Sequence, residues 1–89
     1  MIITVAYKPV VSKGGVALMS QNIRLTGCGT GEQEARKALT EGVLAWCRAL
    51  QKHGTLNDAI SRAGLCAEDD GQNNISVVLH REQTTERVG

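Results

Sequence analysis

At Thr30 the hydrophobic spacing of this chain changes, and with it the structure the chain can form. Beyond that point Ala35, Ala38, Leu39, Gly42, Val43, Trp46, Ala49 and Leu50 recur at three- and four-residue intervals, which draws one apolar stripe along a helix. Thr30 and Gln33 suit a capping box, the hydroxyl meeting a first-turn N–H and the amide reaching back. Glu32 and Glu34 sit at the positive end of the helix dipole, and Lys52 and His53 at the negative end. Gly54 follows as a residue able to take the left-handed conformation. The expected helix therefore runs from about Gly31 to His53. Gly42 within it costs about 1 kcal/mol relative to Ala, and its place on the stripe predicts a close approach of helix backbone to a sheet. Trp46, on the same stripe, is expected to anchor that sheet.

Before Thr30 the period is two. In Ile2 to Tyr7 the residues Ile3, Val5 and Tyr7 fall on one side and Ile2, Thr4 and Ala6 on the other, which is a strand pattern. Pro9 lacks an N–H, so this strand lies at an edge or bends there, with Val10 and Val11 continuing it. Lys13-Gly14-Gly15 is a tight hairpin turn, Val16 to Met19 a second strand, and Ile23 to Thr26 a third after the turn Ser20-Gln21-Asn22. After the long helix, Thr55 with Asp58 suits a second capping box and Gly64 a stop. Leu56, Ala59, Ile60 and Ala63 line a two-turn helix between them. Cys66 to Asn74 is expected as a polar, acidic loop, and Ile75 to His80 as a closing strand. The whole is an α+β unit in the order β-β-β-α-α-β: a single domain over residues 1–82, with residues 83–89 a flexible tail.

Composition narrows the function. An 89-residue chain supports one domain. One Trp, one Tyr and no Phe cannot supply the stacked rings of a single-strand nucleic-acid groove. A net charge of +1 argues against bulk phosphate binding. No apolar run approaches the ~18 residues of a membrane span, and Tyr7, Lys8 and Pro9 interrupt any signal-peptide pattern, so a cytoplasmic location is expected. Cys28, Cys47 and Cys66 stand too far apart for paired zinc ligands and are too few for a secreted disulfide scaffold. They are expected as reduced thiols, two facing a core, with Cys28 alone accessible in a glycine loop.

Few residues assemble chemistry. Gly27-Cys28-Gly29-Thr30-Gly31-Glu32 is glycine-rich and opens a helix, but it lacks the Lys-Ser/Thr end of a phosphate loop. His53 and His80 have no ligand or carboxylate nearby in sequence, and Glu68, Asp69 and Asp70 have no alternating calcium-ligand register. The chain is not read as an enzyme, and no cofactor or metal is expected. Charge is more informative. Residues 1–27 carry Lys8, Lys13 and Arg24 without an acid, whereas residues 65–89 carry five acids against two arginines. Glu68, Asp69 and Asp70 are thus the candidate segment for a basic partner, and the basic meander (Lys8, Lys13, Arg24) is the candidate for nucleic acid.

The order of elements, with Leu25-Thr26-Gly27-Cys28 before the helix and Gly31-Glu32-Gln33-Glu34-Ala35 opening it, resembles the HicB-like antitoxins of toxin–antitoxin systems. The likeness covers roughly residues 2–80, with Thr26 standing where those proteins usually have proline. It implies a truncated ribonuclease-H-like fold without catalytic carboxylates. It also implies protein–protein contact with a small basic mRNA-cleaving toxin of double-stranded-RNA-binding fold, and self-association. An exposed sheet edge offers one route to a partner strand. Members often append a DNA-binding domain; ending at Gly89 leaves no room for one, so DNA binding is not expected. The rival reading is a small nucleic-acid-binding or oligomeric scaffold protein.

Overall fold

The computed structural model describes residues 1–71 and 74–82; the expected tail at 83–89 lies outside them. The elements are β1 (Ile2–Ser12), β2 (Gly15–Ser20), β3 (Leu25–Gly29), α1 (Glu32–Lys52), α2 (Leu56–Ala63), β4 (Cys66–Glu68) and β5 (Ser76–Arg81). This is the expected α+β order of antiparallel meander, long helix, short helix and closing strand, with one short strand, β4, added before the last.

β1 organises the sheet. Its second half pairs antiparallel with β2, from Lys8 opposite Met19 to Ser12 opposite Gly15, and β2 pairs antiparallel with β3. Its first half runs parallel to β5, from Ile2 beside Ser76 to Tyr7 beside Arg81, and Ile2–Thr4 also meet β4. The carbonyls of Met1 and Tyr7 accept the N–H groups of Ser76 and Glu82. Successive residues of a strand present their backbone groups to opposite edges. Odd-numbered residues of β1 therefore serve β5, and the even-numbered ones serve β4 and then β2 along the other edge. Pro9 falls on the odd edge past the end of β5, where its missing N–H interrupts no ladder, and β1 passes through it unbroken.

Alternation also sorts the side chains. Ile3, Val5 and Tyr7 of β1 and Leu18 of β2 are buried beneath α1, which contributes Ala35, Leu39, Val43 and Cys47, one residue per helical turn. Leu56 and Ile60 of α2 complete this core. Each of the large residues is worth about 1.5–3 kcal/mol of apolar burial. The column differs from the expected stripe by a small rotation. Cys47 replaces Trp46 at the centre, Trp46 packs half-buried at the flank, and Ala49 is exposed.

The helix ends also differ from expectation. Gly31 caps α1 with extended backbone and no side-chain bond; Thr30 instead donates its N–H (2.9 Å) and hydroxyl (2.8 Å) to Glu34, not Gln33. The expected cap at Thr55 turns the other way. Its N–H and hydroxyl donate to the Leu50 carbonyl, while Gly54 N–H bonds Gln51, so Thr55 finishes α1 in a Schellman motif. Asp58 pairs with Arg62 instead of reaching back to Thr55. Gly64, at φ 71°, ends α2 as expected.

The close approach expected at Gly42 occurs elsewhere. A Cβ on Gly42 would meet nothing within 4 Å. One on Gly27 would lie 2.5 Å from the Ala35 carbonyl oxygen and 2.8 Å from Leu39 Cα, and one on Gly29 would lie 2.7 Å from Ala35 N. These two glycines share the helix-facing side of β3, and α1 rests its backbone directly on them. β3 therefore begins at Leu25 and includes the Gly-Cys-Gly segment, and Ile23 and Arg24 fall in the preceding turn, where Arg24 takes φ 56°.

Candidate partner-binding surface

The acidic segment divides on folding. Cys66 to Glu68 are strand, because antiparallel pairing with Ile2–Thr4 gives their backbone partners that a loop would leave to water. Glu68 lies opposite Ile2 and is exposed. Asp69 accepts the N–H of Gly71 at 3.0 Å, a local turn bond. Asp70 receives the N-terminal ammonium of Met1 at 2.7 Å, with both groups about 70% covered (29% and 28% exposed), and the same ammonium reaches the Asn74 carbonyl at 3.0 Å. Asp70 is thus committed to holding the start of β1 against the β4–β5 connection. Glu68 and Asp69 remain turned to solvent.

The basic meander does not converge. Lys13 occupies the β1–β2 turn and Arg24 the β2–β3 turn, at opposite ends of β2, whose six residues span roughly 20 Å. Lys8 projects from the side of the sheet away from α1, beside Met19.

Cys28 is exposed on β3, as foreseen, though on a strand and not in a loop. Cys66 is also exposed, which overturns its assignment to the core: β4 is a rim strand that no helix covers. Cys47 is buried, and that burial raises its thiol above the ordinary cysteine value. His53 caps α1 and His80 lies on β5, both exposed. Among the described residues no group of three His, Cys, Asp or Glu side chains is placed to hold a metal ion, and no helix is long and apolar enough to cross a membrane.

Two features escaped the sequence reading. The Tyr7 ring is buried, and its hydroxyl accepts from Arg36 Nη1 at 2.6 Å and donates to Glu32 at 3.3 Å; the Arg36 guanidinium lies 5.5 Å from the ring centroid. The four-residue spacing of Glu32 and Arg36 was the available signal, but it could not show that a buried phenol ends between them. The second is an open groove of about 550 Å³ between the β2–β3 turn and α2, lined by Asn22, Leu50, Thr55, Asp58, Arg62 and their neighbours. Asn22 spans one side by donating to the Ala63 carbonyl at 2.8 Å. Its polar groups are exposed and already paired, so it is a seam between elements. No family model matches this chain, and no curated protein or solved structure matches it either.

Proposed function

We propose that the chain is a HicB-like antitoxin-type protein, which binds and neutralises a small basic RNA-cleaving toxin by protein–protein contact. The observation that carries the reading is the junction of β3 with α1. The resemblance rests on a Gly-Cys step followed by an acidic–Ala helix start, and these two halves are packed on each other, Gly27 and Gly29 beneath the backbone of Ala35 and Leu39. The spacing of the motif thus serves the sheet–helix contact in this chain. Glu68 and Asp69, exposed at the rim, are the acidic groups available to a basic partner.

Co-expression with a basic protein encoded by a neighbouring gene tests the proposal. The expected result is co-purification and relief of that protein's toxicity, both weakened by Glu68→Lys with Asp69→Lys. Absence of capture and of relief removes the reading. A salt-steep RNA or DNA gel shift that disappears on replacing Lys8, Lys13 and Arg24 would put nucleic-acid binding in its place.

A further inference from the structure

We infer that the outer edge of β5, with the flank of α1 above it, is a docking groove for an extended segment of another protein, apolar at alternate positions and acidic at its ends. This site is separate from that of the proposed function, whose partner is basic and meets Glu68 and Asp69 on the other side of β1. Among the described residues β5 pairs with β1 alone. The N–H groups of Ser76 and Glu82 donate to β1, so the even-numbered residues of β5 serve that partner. Val77, Leu79 and Arg81 therefore each turn an N–H and a C=O to the open edge. Proteins ordinarily blunt such an edge with charge, proline, a bulge or shortness. The stretch Val77-Val78-Leu79, within a strand of six residues, carries no charge, proline or glycine. β3, the opposite rim, turns Gly27 and Gly29 toward the helix and has no side chains there to extend the core.

The upper wall of the groove is set by the rotation of α1. β3 lies under Glu34, Ala35 and Leu39, whereas Arg36 reaches Tyr7 of β1. The column Arg36, Thr40, Leu44 and Arg48, one residue per turn, therefore follows the flank toward β5, against which α1 packs. Thr40 and Leu44 are half-buried, as are Val77 and Leu79 below them. Charge selects the occupant. Arg36, its neighbour Lys37 and Arg81 stand at the end of the groove near Tyr7. Arg48 stands toward the other end, where α1 comes level with Met1 at Gln51. The acids nearby are engaged or displaced. Glu32 is bonded to Tyr7, Asp70 holds the N-terminal ammonium, and Glu82 lies past the end of β5. Glu34 and Glu41 fall on the opposite flank of α1. An extended chain matches the two-residue repeat of donors and acceptors along the edge, and acidic ends match the cations at either end.

The probe is a capped synthetic peptide in which valine and threonine alternate between terminal glutamates. In the full-length chain alone, amide hydrogen exchange is expected to be fast at Val77, Leu79 and Arg81 and slow at Val78 and His80. The peptide should protect the fast set. An added strand bonds through alternate residues, so N-methylating the valines and N-methylating the threonines should differ, one abolishing binding and the other sparing it. Leu44→Glu should weaken binding by about tenfold while Val78 and His80 stay slow, which shows the fold intact. Arg48→Glu with Arg81→Glu should reverse the preference, so that a lysine-ended peptide binds better than the glutamate-ended one. A free chain whose Val77, Leu79 and Arg81 amides are already slow has this edge covered by another segment or a second copy, and overturns the proposal. So does absence of binding, protection centred on β3, or equal binding of the two peptides to the unaltered chain.

Discussion

Three glycines fall into two opposite roles. Gly27 and Gly29 leave space that the helix backbone occupies, and the nearest atoms a Cβ would strike are all backbone atoms of α1 apart from Glu34 Cβ. Gly27→Ala is therefore expected to destabilise the fold by about 3 kcal/mol or more, the upper range for overpacking. Gly42 faces open space within α1, and Gly42→Ala should add about 1 kcal/mol through helix propensity alone. Urea denaturation of the two variants should move in opposite directions, and equal shifts would contradict the docking described. Ser20 is buried with its hydroxyl unpartnered. Ser20→Ala should accordingly be neutral or stabilising by about 1 kcal/mol, since the desolvation cost disappears with the group. A loss of more than that in thermal denaturation would reveal a partner for the hydroxyl.

At the scale of the element, the start of α1 depends on a carboxylate. The Thr30 N–H, then its hydroxyl, hold Glu34 below the ordinary glutamate value. A depressed acid contributes stability that is present above its unfolded value and is lost as pH falls through its folded one. NMR titration of Glu34 should thus show a midpoint below that of a free glutamate, rising in Thr30→Ala; an unshifted midpoint would remove this cap. Cys47, in the buried column of the same helix, should stay unmodified by a thiol reagent in dilute native protein while Cys28 and Cys66 react, and should become reactive only on denaturation. The periodic pattern gave the helix almost to the residue, from 31–53 expected to Glu32–Lys52 observed. It misplaced β3 by two residues because Ile23 and Leu25 alternate plausibly in either register. Only the seat required by α1 makes Gly27 and Gly29 strand.

At the scale of the molecule, two helices on one side of a sheet make an unequal object, with one side packed as the core and the other, a mixture of polar and apolar residues, turned to solvent. The charge asymmetry read along the chain becomes an asymmetry in space, Glu68 beside the start of β1 and Lys13 past its end. The acids proposed for a toxin lie at this rim, so Glu68→Lys should weaken toxin capture, measured by pull-down. Met19→Glu, on the side of the sheet turned away from the helices, should leave capture unchanged in the same pull-down. Loss of capture in Met19→Glu would mean that the toxin meets the sheet face and not the rim.

The sequence by itself determined what is local. Period two and period three-to-four, the glycine stops and the order of elements follow from neighbouring residues, because backbone geometry repeats over a few positions. Tertiary structure alone decided which glycines carry the helix, that a nominal acidic loop begins as a strand, that Cys66 is exposed, and that a phenol meets Glu32 and Arg36. Each of these depends on a partner far along the chain: α1 on β3, β1 on β4, and β1 on α1. Such pairings are set by the packing of whole elements, and local spacing does not encode them.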